Sequence, residues 1–182
     1  KHHHSPYRDI DFDVLELLNG ESIDVYEVVK QDWFSLLKQG IYKVATANSD
    51  SHSSHQIVAL PRNYLLVADD NPATATAEDI NSARRSGKLF GTSGPMLQVQ
   101  LENTLPGGTF TGSKGRLMVN VNAAPWVNVK ELEVYINGET YSKIAISSGD
   151  NKVIDLAFDN NSFVTVEVRG DISELYAIVA PG

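Results

Sequence analysis

The chain contains no cysteine among its 182 residues. Disulfide scaffolds, thiolate-held metals and cysteine nucleophiles are therefore excluded, while the cellular compartment stays open. Basic residues are the scarcer charge: Lys plus Arg is 15 against 23 for Asp plus Glu, a formal net charge of -8. An acidic balance disfavours a phosphate-backbone partner, so no nucleic acid is expected. It leaves anionic substrates open, because a bound metal ion reverses local charge. No apolar run approaches the roughly 20 residues of a membrane helix, so no membrane span is expected. Internal repeats and low-complexity tracts are absent as well. What is present is a hydrophobic fraction of 42%, enough for a packed core. The length suits one large domain or two small ones.

Lys1 is not an initiator residue, and His2, His3 and His4 follow it directly. They read either as a tag remnant or as a native histidine cluster. In both cases the natural N-terminus is expected upstream, together with any signal peptide.

Two periods divide the chain. Phe12–Leu18 is mostly apolar and closed by Asn19-Gly20, which suits a strand covered on both faces. Val29, Trp33 and Leu36-Leu37 share a helical face, predicting a helix over Val29–Gln39 with Gly40 at C′. Tyr42–Ala47 and Tyr64–Ala68 read as further strands. Thr76-Ala77-Glu78-Asp79 resembles a capping box that opens a helix through Arg85. This alternation predicts parallel strands with crossover helices. After Gly91-Thr92-Ser93-Gly94-Pro95 the period becomes two, in Leu97–Leu101, Leu117–Val121 and Leu132–Ile136. Asn137-Gly138 is the strongest hairpin signal. Tyr141–Ile146, Val153–Phe158, Phe163–Val168 and Leu175–Val179 continue the series, predicting an antiparallel β-sandwich. The expected division is residues 1–95, α/β, and residues 96–182, all-β. About three parallel strands make a thin sheet for an independent domain, so residues 1–95 read as the C-terminal part of something larger.

Asn48-Ser49-Asp50-Ser51-His52-Ser53-Ser54-His55 follows the second strand at once. In parallel α/β folds, functional groups gather at the carboxyl ends of strands. Asp-x-His in extended backbone places a carboxylate and an imidazole on one side, a mixed O/N donor pair suited to zinc, manganese or iron. The same residues also make ordinary turns. Two donors are fewer than the three protein ligands that a catalytic ion usually takes. His55 reads as a surface residue or a neighbour of the ligands.

The order of the segments resembles the C-terminal part of the polymerase-and-histidinol-phosphatase (PHP) metallohydrolase superfamily, in its CehA/McbA-like subgroup. The likeness is carried by Phe12–Gly20, by Asp32–Gly40 with Trp33, by Ala47-Asn48-Ser49-Asp50-Ser51-His52, and by Pro61–Leu65 with Gly87–Pro95. The resemblance implies the C-terminal part of a distorted, TIM-like parallel β/α barrel followed by an antiparallel β-sandwich. It assigns Asp50 and His52 as metal ligands and implies divalent ions (Zn, Mn or Fe), more than one in the complete protein. It implies metal-activated water cleaving a phosphoester, ester, amide or carbamate in a small-molecule substrate. The family's N-terminal His-x-His and intermediate ligands are not in this chain, so the partner it needs is the missing N-terminal part of the same protein. One of His2, His3 or His4 could stand for a mid-chain ligand, although Ser5 separates them from Pro6 where the family has proline directly after the histidine. The alternative is a non-catalytic binding or structural module whose sandwich recognises glycan or protein.

Other residues carry smaller expectations. Arg62 is a candidate for holding an anionic or carbonyl group of the substrate, against a simpler reading as a salt-bridged surface residue. Glu16 in an apolar strand is unusual, because a buried carboxylate needs partners; it reads as a group that supports the ligands or as the outward face of the strand. Trp33 and Trp126 read as core anchors. Arg169-Gly170-Asp171 reads as a turn between strands. Arg84 and Arg85 suit the last turn of a helix.

Overall fold

The computed structural model describes residues 10–20 and 23–170. His2, His3, His4, Asp171 and the expected strand Leu175–Val179 lie outside the described residues. The fold is mixed α and β, with mostly antiparallel sheets and two helices among the described residues. None of those helices is long and apolar enough to cross a membrane.

Strand β1 (Val14–Asn19) pairs in parallel with β2 (Val44–Asn48), from Val14 opposite Val44 to Asn19 opposite Asn48. Helix α1 (Ile23–Lys38) connects them. It starts six residues before the expected Val29, because its second stripe, Tyr26, Lys30 and Phe34, is masked in the sequence by a lysine. The stripe follows helical spacing and is buried. The helix ends as expected at Gly40, whose φ is +75°. Gly40 N–H donates to Leu37 O at 3.0 Å and Ile41 N–H to Leu36 O at 3.0 Å, the paired bonds of a Schellman motif.

The expected third parallel strand does not form. Strand β3 (Arg62–Leu65) instead pairs antiparallel with β4 (Leu89–Thr92). At the edge of β2 the Asn63 carboxamide takes the place of a strand: Ala47 N–H donates to its Oδ1 at 2.9 Å, and its Nδ2 donates to Ala47 O at 2.7 Å. A buried backbone needs partners but not a ladder, and here a side chain supplies them. Helix α2 (Ala77–Arg85) lies between β3 and β4 in sequence and opens with the expected capping box between Thr76 and Asp79. Arg84 and Arg85 occupy its last turn.

The remaining six strands follow the period-two reading closely. They are β5 (Met96–Leu101), β6 (Lys114–Asn122), β7 (Val129–Ile136), β8 (Glu139–Ala145), β9 (Asn151–Ala157) and β10 (Val164–Gly170). They form two antiparallel sheets, ordered β5-β6-β9 and β10-β7-β8. Leu117, Val119 and Val121 of β6 share one core with Leu132 and Val134 of β7, Leu156 of β9 and Val168 of β10. Asn137 and Gly138 turn the β7–β8 hairpin at φ +52° and +75°, the conformation that Asn-Gly favours. Two expectations fail in this region. Arg169 and Gly170 belong to β10 rather than to a turn, where Arg169 pairs with the buried Glu167 and the half-buried Glu27. Trp126 is 63% exposed; it sits in the loop before β7, where Val127 and the first strand residue, Val129, take the buried positions.

Helix α1 joins the two parts. One face, with Ile23, Tyr26, Val29 and Trp33, packs on β1 and β2. Trp33 is an anchor there, its Nε1 donating to Lys43 O at 2.7 Å. The other face meets β7 and β10. Phe34 packs against Tyr135 and Phe163, with ring centroids 5.4 and 5.9 Å apart. Beside it a ring of alternating charges closes: Lys30 Nζ lies 2.9 Å from Glu167 Oε2 and 3.0 Å from Glu27 Oε2. Arg169 Nη2 meets Glu27 Oε1 at 2.6 Å and also pairs with Glu167 Oε1. Lys30 and Glu167 each have only 4% of their side chains exposed. Burial and the nearby Glu167 raise the Tyr26 and Tyr135 hydroxyls well above their usual range, so both remain neutral. Burial works against the Glu27 carboxylate, but hydrogen bonds from Arg169 and Lys30 outweigh it and hold its pKa below the usual value.

Candidate functional site

The carboxyl ends of β1 and β2 carry a polar cluster. Glu16 Oε2 accepts from Asn19 Nδ2 at 2.8 Å, and Glu16 Oε1 accepts from Asn48 Nδ2 at 2.6 Å. Gly20 N–H donates to Asn48 O at 2.8 Å. Asn63 Nδ2 reaches Asn48 Oδ1 at 3.0 Å. Glu16 thus has partners for both oxygens, which answers the question of a carboxylate within an apolar strand.

The loop leaving this cluster brings Asp50 and His52 together. Asp50 Oδ1 lies 2.7 Å from His52 Nε2. Their route differs from the extended backbone expected of Asp-x-His: Asp50 adopts φ +47°, a left-handed conformation that aspartate tolerates better than most residues. Gln56 holds the far side of the loop, its Oε1 accepting from His52 N–H at 2.5 Å and from Ser53 N–H at 3.1 Å. Ser51 Oγ donates to Ile57 O at 3.1 Å. Gln56 escaped the sequence reading because an amide four residues along a polar loop carries no periodic signal. The His52 side chain is 75% exposed and that of Asp50 47%, so both are open to a ligand. His55 is exposed in the same loop and adds no donor to the pair.

Arg62 is bonded to other residues. Its Nε donates to Tyr64 Oη at 3.1 Å, its guanidinium carbon lies 5.2 Å from the Tyr64 ring centroid, and its Nη1 donates to Ala59 O at 3.4 Å. Tyr64 in turn stacks on Phe90 at 5.4 Å. Among the described residues, no three His, Cys, Asp or Glu side chains gather where one ion could be held.

A separate cleft of about 920 Å³ runs between the α/β elements and the antiparallel sheets. Trp33, Phe34, Val99, Leu101, Phe158 and Val166 give it apolar walls, and Lys30, Tyr135 and Glu167 lie at its polar end. Those three are already bonded to one another, so none of them faces the cleft without a partner.

No protein-family model, curated protein or solved structure matches the chain.

Proposed function

We propose that the chain is part of a metal-dependent hydrolase of the PHP type, CehA/McbA-like, cleaving a phosphoester, ester, amide or carbamate in a small-molecule substrate. The observation that carries this reading is the meeting of Asp50 Oδ1 and His52 Nε2, 2.7 Å apart and open to solvent, just beyond the carboxyl end of a parallel strand. In that reading β1 and β2 are neighbouring strands of the barrel, and the two antiparallel sheets form the sandwich that follows it.

The donor chemistry fits a divalent ion such as zinc, manganese or iron, with one carboxylate oxygen and one neutral imidazole nitrogen. Asp50 and His52 would hold it, giving up their mutual hydrogen bond. A divalent ion supplies Lewis acidity that activates water and polarises the scissile oxygen. These two side chains are less than the usual protein donor set, so the remaining donors come from the N-terminal part of the same protein that the resemblance implies. Arg62, held against Tyr64, is suited to an anionic or carbonyl group of the substrate.

The test is hydrolysis of p-nitrophenyl phosphate and p-nitrophenyl acetate by the full-length protein with manganese or zinc. The double variant Asp50→Ala/His52→Ala is expected to fall to the background rate. An unchanged rate would sink the reading. A second reading, a binding module for glycan or protein, draws on the exposed Trp126, since exposed aromatic rings suit recognition surfaces. It predicts partner binding that a chelator leaves intact and Trp126→Ala abolishes.

A further inference from the structure

We infer that Glu16 is a positioning residue for the Asp50–His52 pair, acting through Asn48; the inference rests on the hydrolase reading. The Glu16 carboxylate bridges two amides from different strands, Asn19 of β1 and Asn48 of β2. Each bond to a charged acceptor is stronger than a neutral one. Asn48 is itself held at three groups: its Nδ2 donates to Glu16 and, at 3.4 Å, to Thr46 Oγ1, its Oδ1 accepts from Asn63 Nδ2, and its backbone carbonyl accepts from Gly20 N–H. Asn48 is the last residue of β2, and Asp50 is two residues on. Fixing Asn48 on three sides fixes the point from which the chain enters the left-handed turn at Asp50. Gln56 holds the loop beyond that turn, so the Asp50–His52 segment is clamped at both ends. A pair of metal donors needs that constraint, because hydrogen-bonding partners of ligands set their orientation and tune affinity.

A bracket of amides at a strand end could also serve the sheet alone, so the experiment must read something that sheet stability does not move. Manganese titrated into the full-length protein broadens the ring signals of nearby histidines. The assigned His52 signals report on this pair, with Asp50→Ala as the reference for its loss. Glu16→Ala is expected to raise the manganese concentration for half-broadening at His52 by up to about tenfold, the lower end of the scale for losing a ligand's direct partner, since Glu16 acts through the backbone. Amide exchange at Ser49–His52 is expected to accelerate, with exchange in β6 and β7 unchanged. Glu16→Gln keeps one acceptor and should fall between the two. Unchanged broadening and unchanged exchange in Glu16→Ala would overturn the positioning role and leave the hydrolase reading standing. Faster exchange with unchanged broadening would also overturn it, reducing Glu16 to a sheet residue. No broadening at His52 in the parent full-length protein would instead count against Asp50 and His52 as ligands, and with them against a role for Glu16 in metal binding.

Discussion

The parallel pair β1–β2 and the six antiparallel strands differ in how their backbones find partners. In the antiparallel sheets, ladders do almost all of it, and the side chains are left to alternate between core and solvent. Around β2, the Asn63 carboxamide satisfies both backbone groups of Ala47, and Glu16 and Asn48 tie the strand ends. One region is held by a repeating pattern, the other by individual side chains at particular places. The first should tolerate substitutions that keep the pattern. The second should fail at single residues.

The largest test of this contrast lies where the regions meet. Glu167→Ala leaves Lys30 buried with half its compensation and Arg169 short of a carboxylate, so a loss of about 3–5 kcal/mol is expected. Chemical unfolding should show it, with α1 and the antiparallel sheets destabilised together. Two separate transitions, with only one moved, would break the picture of α1 as a shared element. The replacement Lys30→Met/Glu167→Leu should recover much of the loss.

Next in size is a change of pattern in the antiparallel core. Leu132→Ala removes a side chain with no solvent exposure and should cost about 2–5 kcal/mol. Met118→Thr, on the outward face of β6, should stay within about 0.5 kcal/mol of the parent. A large effect of Met118→Thr would show that the alternation alone does not describe this region. Gly138→Ala sits between the two cases. Its φ is +75°, and an added Cβ would come within 2.9 Å of the Phe34 ring. A cost of about 1–3 kcal/mol is expected, from overpacking against the helix.

The smaller effects concern caps and charge. Thr76→Ala removes the capping box of α2 and should cost about 0.5–2 kcal/mol. For Glu27 the folded carboxyl has a pKa below its reference of 4.5. Its contribution is therefore complete above that value and is lost as the pH falls through the lower, folded pKa. Glu133 is shifted the same way: burial opposes its charge, but hydrogen bonds from Thr140 and Tyr135 prevail. Stability measured by denaturant midpoint should be flat above about pH 5.5 and decline below 4.5, with a shallower decline in Glu27→Gln.

The same contrast explains what was legible in the sequence. Strict alternation located β5 to within one residue and the central stretches of β6 and β7, which each begin three residues earlier than expected, because a strand with one buried face writes its own period. Asn137-Gly138, Gly40 and the Thr76–Asp79 box were legible for a related reason: each is a local motif with its own backbone geometry. The parallel third strand was misread, because nothing in Asn63 itself announces that its amide will replace a ladder. Arg169 was misread, and Lys30 passed over, for the same cause at longer range. A charge belongs inside only when its partners are present, and Glu167 is 137 residues from Lys30 in sequence. At the candidate site, Asp50 and His52 were named from spacing. Gln56 was not, and the link from Glu16 through Asn48 became visible only once two strand ends lay side by side.

The double-faced helix also bears on how this protein could be taken apart. The sequence changes character near Pro95, which makes that point an inviting place to excise or graft a module. A piece beginning at Met96 would carry away β7 and β10 without α1, stripping Tyr135 and Phe163 of the Phe34 ring and Glu167 of the Lys30 ammonium. The complementary piece would keep Lys30 with Glu27 as its sole carboxylate from the ring. Each severed piece would show the other's footprint as a sticky, unevenly charged scar. Any attempt to transplant the antiparallel half onto another protein would have to carry α1 with it or resurface that scar.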